Sequence, residues 1–196
     1  MIRQMVSERE LGLYSAAIAL SSFWGFIPLT LSTILGPYVA RKKAESEQVY
    51  YKTLETIFRI YGAISIAIVV LVLICGPSAV NLLYGESYTA SKSFLSIHIF
   101  TFIFISLGVA QNLWIVNEGV GQIALYKTII GLIVCLVGNF VLIPKFGATG
   151  AAFVAVFVQF SSAVASNIIF SPHILEMQLL GIFQLKIRKK FAWFRK

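Results

Sequence analysis

The run ISIAIVVLVLIC, residues 64 to 75, decides how the chain is read. A half-buried strand alternates apolar and polar side chains, and so do the strands of a membrane barrel. This run does not alternate. Apart from Ser65 it is apolar all round, and Gly76-Pro77 follows it. Extended back to Phe58, it has about the length a helix needs to cross a hydrocarbon core of about 30 Å. In lipid a helix is favoured because it closes its backbone hydrogen bonds within one segment.

Four more segments read the same way, giving predicted spans at 11–39, 58–75, 94–116, 123–143 and 148–170. The expected fold is all-α: a polytopic transmembrane bundle of about five helices over residues 1–170, with a tail from 171 to 196. Pro37, Pro77, Pro144 and Pro172 stand where helices are expected to stop, since proline removes a backbone donor. Pro28 lies mid-span and predicts a kink.

Composition agrees. Hydrophobic residues make up 58% of the 196 and charged ones 12%, against roughly half and a quarter in soluble domains. A net charge of +8 is no sign of nucleic acid here, because the basic residues flank apolar spans and no nucleic-acid motif is present. Cys75 and Cys135 lie inside apolar runs without metal-ligand or redox spacing. The N-terminus MIRQMVSERE does not have the form of a cleavable signal peptide.

The charged stretch RKKAESEQVYYK, residues 41 to 52, fixes an orientation. Five spans place it on one side with the 117–127 connection and the tail. That side holds Arg41, Lys42, Lys43, Lys52, Arg59, Lys127, Lys186, Arg188, Lys189, Lys190, Arg195 and Lys196; the other holds Arg3, Arg9, Lys92 and Lys145. The positive-inside rule makes the first side cytoplasmic. Met1 then starts outside, which fits the later part of a longer protein preceded by an odd number of spans. The tail predicts an amphipathic helix, with Leu180, Phe183, Ile187, Phe191 and Phe194 on one stripe beside Arg188, Lys189, Lys190 and Lys196.

Each span carries a stripe of small or polar residues suited to helix contacts: Ser15, Ser22, Gly25, Ser32 and Gly36 in the first, Thr128, Gly131, Cys135 and Gly138 in the fourth. Larger hydrogen-bonding groups at membrane depth are costly unless satisfied. His98, Gln111, Asn112, Asn139, Gln159 and Asn167 are therefore candidates to line a hydrated, substrate-binding cavity. Arg59, Lys127 and Glu118 lie near span ends and are expected to snorkel to the interface. No nucleophile–base pair, metal box or phosphate loop appears, so no enzyme activity and no cofactor is expected. A lone His98 is no metal site.

The stretches ELGLYSAAIALSSFWGFIP, NLLYGESY and LIPKFGATGAA resemble the C-terminal half of the polysaccharide flippases, in the superfamily of the MATE exporters and lipid II flippases. NLLYGESY also reads physically as an outer turn at Gly85, and IPKFGATGAA as a tight outer hairpin. The resemblance implies alternating access that flips a polyprenyl-linked oligosaccharide for surface polysaccharide such as the O-antigen of lipopolysaccharide. It implies a bacterial inner membrane, with membrane lipid and other polysaccharide-assembly membrane proteins as partners. Relatives often carry Arg and Glu where this chain has Ala19 and Ser22. Rival readings are a drug/cation antiporter of the same superfamily, which would favour carboxylates deep in a span, and a membrane fragment that does not transport.

The orientation is directly testable. In a background lacking Cys75 and Cys135, Ser87→Cys should react with an impermeant maleimide in intact spheroplasts and Ser46→Cys should not; the reverse pattern refutes the assignment.

Overall fold

The computed structural model describes residues 6–183, and among these every regular element is helical. The chain runs through α1 (Glu8–Ser22), a 3₁₀ turn (Phe23–Gly25), α2 (Phe26–Glu45), α3 (Glu47–Tyr84), a 3₁₀ turn (Glu86–Tyr88), α4 (Ser91–His98), α5 (Thr101–Glu118), α6 (Gly121–Phe160), a π-turn (Ser161–Ala165), α7 (Asn167–Phe170) and α8 (Pro172–Phe183). Four stretches are long and apolar enough to cross a membrane: Glu8–Glu45, Glu47–Tyr84, Ser91–Glu118 and Gly121–Phe170. This is the membrane protein that composition predicts.

The last stretch is two crossings. Gly147 has φ 57° and ψ −138°, a conformation open chiefly to glycine, and folds α6 into two antiparallel arms. A Cβ placed on Gly131 would stand 3.4 Å from Ser162, on Gly138 3.0 Å from Val154, and on Gly150 2.5 Å from the Leu142 carbonyl. The arms therefore pack through glycine along the whole hairpin, as IPKFGATGAA predicts. At the other predicted turn Gly85 takes φ 80°, and the Tyr84 and Tyr88 rings lie 5.3 Å apart.

Three features depart from expectation. Pro37 and Pro77 stop nothing; each lies inside a helix, whereas Pro144 stands three residues before the break at Gly147. Membrane helices tolerate proline where neighbouring groups satisfy the freed carbonyl. Pro28 does perturb the first crossing, but the irregular turn lies just upstream at Phe23–Gly25, where the ring meets the preceding turn. The charged segment after residue 41 is no loop. α2 and α3 are separated by Ser46 alone, extended at φ −169°, whose Oγ accepts from the Val49 N–H. Both helices consequently run past the predicted spans.

The third departure is α8. Its first turn lies beside the first turns of α3, with the Tyr51 and His173 rings 6.1 Å apart. Its far end meets α3 again at Phe58 and Gly62: a Cβ on Gly181 would stand 2.5 Å from the Phe58 carbonyl, and one on Gly62 would collide with the Gly181 carbonyl. So α8 runs parallel to α3, with Ile174, Met177, Gln178 and Gly181 buried. Leu180 and Phe183 of the expected tail stripe lie off that buried face. Ile187, Phe191, Phe194 and the basic residues from Lys186 onward lie outside the described residues.

Two apolar cores hold the bundle. One, at the Ser46 end, gathers Val39, Tyr50, Leu54, Phe58, Tyr61, Trp114 and Ile174. The other, at the Gly85 end, gathers Tyr14, Val69, Val80, Phe94, Leu95 and Ile143. At that end the Glu10 carboxylate accepts from the Ala148 N–H at 2.7 Å, so the first crossing caps the helix that restarts after Gly147. In lipid there is little hydrophobic drive between helices, so close packing and such polar ties carry the association.

Gly62→Ala should cost about 1–3 kcal/mol by forcing α3 and α8 apart. Gly12→Ala, with open space around it, should be neutral or stabilising by up to about 1 kcal/mol. Thermal unfolding of the two variants in detergent measures the difference.

Candidate functional site

The six residues expected to line a cavity do not converge on one. Gln111 and Asn167 are fully buried and meet: Gln111 Nε2 donates to Asn167 Oδ1 at 2.8 Å, and Asn167 Nδ2 donates back to Gln111 Oε1 at 3.1 Å. Asn112 is the next residue on α5 and is exposed, because consecutive helix positions point about 100° apart. His98 ends α4 and makes a 2.8 Å hydrogen bond through Nδ1 with Ser21 Oγ. Asn139 donates to Cys135 Sγ at 3.2 Å on its own helix. Gln159 is half-buried on the second arm of α6. Two clefts among the described residues, lined by residues such as Ile133, Val137 and Phe157 or Leu20, Trp24 and Leu71, have apolar walls and include none of the six.

The Gln111–Asn167 pair is the centre of a larger cluster. The π-turn advances the chain by one extra residue, seen in the Ser166 N–H donating to the Ser161 carbonyl at 3.0 Å. This sets Asn167 inward, where its Nδ2 reaches the Ala163 carbonyl at 2.9 Å and Gln178 Oε1 of α8 at 2.9 Å. Gln178 Nε2 donates to the same Ala163 carbonyl at 2.9 Å. Lys127, from the first arm of α6, donates to Gln111 Oε1. Four side chains from four elements thus join at one buried point. Lys127 lies six residues into its helix, about 9 Å from the start, and is 7% exposed. It turns into the bundle instead of snorkelling to an interface.

Two members were not among the expected site residues. Gln178 sits in what reads as tail. Lys127 reads as an interfacial anchor because Gly121 is near. The signal available in sequence was spacing: Lys127, four residues before Gly131, lies on the small-residue stripe of that helix, which faces the bundle.

A second polar group lies at the Ser46 end. Lys43 pairs with Glu118 at 3.0 Å and donates to the Asn117 carbonyl at 2.5 Å, tying α2 to α5. His173 lies against Trp114 with ring centroids 5.2 Å apart, and against Tyr51. Burial holds its pKa below the usual histidine value, while the Glu118 carboxylate pulls the other way.

The cluster's stabilising role has a clear expectation. Gln111→Leu strands the partners Asn167 and Lys127 and should cost about 1–3 kcal/mol, whereas Asn112→Leu should cost nothing measurable. Thermal unfolding in detergent separates the two, and equal loss in both would remove the cluster's special status.

Comparison with known proteins gives two matches with one label. A family model described as "Polysaccharide biosynthesis protein" matches residues 1–93. The capsular polysaccharide biosynthesis protein CapF of Staphylococcus aureus is 23% identical over 165 residues, which cover 84% of this chain. The chain spans about two fifths of that relative's length, 42% being covered. No solved structure matches.

Proposed function

We propose that the chain supplies one helical wall of a transporter that carries a polyprenyl-linked oligosaccharide across a bacterial plasma membrane, for surface polysaccharide. The observation that carries this reading is the contrast between two exposed helix faces. On the first arm of α6, from Ile129 to Phe140, the exposed positions are bulky and apolar: Ile129, Leu132, Ile133, Leu136, Val137 and Phe140. Such a face suits lipid. On α1 the exposed line is Gly12, Ser15, Ala19 and Ser22, small and polar at spacings of three and four. That edge offers lipid little and a hydrated sugar path room and hydroxyls.

The 3₁₀ turn at Phe23–Gly25 interrupts this same crossing beside Ser22. Two faces of opposite character suit a molecule with a polar head and an isoprenoid tail, the head passing along α1 while the tail stays in lipid. The label shared by the family model and CapF supports the pathway assignment, polysaccharide biosynthesis. The sugar path requires a second wall, which the remaining length of a CapF-sized protein would provide.

The test is a strain lacking its own flippase, complemented by this chain together with a matching N-terminal half. Ser15→Leu and Ser22→Leu should lower surface polysaccharide several-fold with membrane protein level unchanged, while Leu132→Ala on the apolar face should leave export intact. Unchanged export in both leucine variants would return the α1 edge to packing and defeat the proposal.

A further inference from the structure

We infer that Lys127 is a proton-binding site that latches α8 to the bundle: with the amine neutral α8 is docked, and uptake of one proton releases it. The inference stands on the geometry of the cluster and does not depend on what the chain transports. Three donors converge on Gln111 Oε1, from Lys127, Asn167 and Gln178, although an amide oxygen offers two lone pairs. The Ala163 carbonyl takes two more amide donors. An ammonium adds donors to a cluster already rich in them. A neutral amine removes one and contributes a lone pair, so it satisfies the closed cluster better.

No carboxylate lies within ion-pair distance of Lys127 among the described residues. α5 carries Glu118, two turns beyond Gln111 and paired with Lys43. α4 carries Lys92 and His98, the latter held by Ser21. Glu8, Arg9 and Glu10 of α1 lie at the opposite end of α6, where Glu10 caps Ala148. α8 carries His173, set against Trp114 and Tyr51, and the exposed Glu176. The π-turn and α7 carry no charged group, and Tyr126 beside Lys127 stacks on Phe170. Among the described residues a charged amine here has no counter-ion, and burying it uncompensated is costly.

The sign follows. The closed state binds the neutral form and the opened, hydrated state the charged form. Closure is therefore complete at high pH and lost as pH falls. What gives way is the Gln178 contact, since Gln178 reaches the cluster from α8 while Gln111 and Asn167 are mutually bonded.

The experiment uses the full chain in nanodiscs, with Cys75 and Cys135 replaced by Ala and spin labels at Leu179→Cys on α8 and Val116→Cys on α5. Pulsed electron–electron distances are read from about pH 10, near an ordinary lysine's pKa, down to about pH 6. The expected result is one short population at high pH and a longer one that grows with single-proton steepness as pH falls. K127M should keep the short population throughout, K127R should show the longer one throughout, and H173Q should titrate like the wild type. Growth of a lysine auxotroph on γ-thialysine, a less basic isostere of similar shape, should move the midpoint to lower pH. A distance that ignores pH, a titration that survives in K127M, or a midpoint unmoved by thialysine overturns the inference.

Discussion

Inside hydrocarbon every backbone N–H and C=O must find a partner within the protein, and this constraint governs where the chain departs from straight helix. Each interruption has its own remedy. Ser46 caps α3 through its hydroxyl. Gly85 and Gly147 take turns that a side chain would resist. The Ala148 N–H freed after Gly147 donates to the Glu10 carboxylate. The π-turn opens the Ala163 carbonyl, which receives Asn167 and Gln178. At the π-turn the irregular point and the polar side chains at membrane depth are the same place.

The second constraint is distance between helices. Because lipid is as apolar as leucine, helices gain from one another chiefly by approaching closely. Glycine marks those approaches: Gly131 and Gly138 between the arms of α6, and Gly62 against Gly181 between α3 and α8. The bulky residues left outside, such as Leu82 and Phe140, suit the lipid they face.

Much of this was legible in the sequence because a membrane span is a composition signal of about twenty residues that needs no knowledge of its neighbours. All five crossings are of that kind, while the Gly85 turn and the Gly147 hairpin were legible from glycine in the short breaks between them. Pro37 and Pro77 misled because their effect depends on whether a neighbour satisfies the freed carbonyl. α8 was hidden because PHILEMQLLGIF is too short to register as a span, and only its contact with Gly62 shows where it lies. The cluster was half legible. Gln111 and Asn167 stand out as amides at depth, but their partners are 11 to 67 residues away, and periodicity within one helix carries no information about pairing across several.

The tie between Glu10 and Ala148 has a consequence for the order in which the molecule is made. Its partners are 138 residues apart, roughly 7 to 28 s of synthesis at about 5–20 residues per second. Throughout that interval Ala148 has not been made, so the Glu10 carboxylate has no helix to cap. The tie therefore cannot guide insertion of α1. It closes afterwards, between crossings that are already in the membrane, and it joins the first to the last of the five.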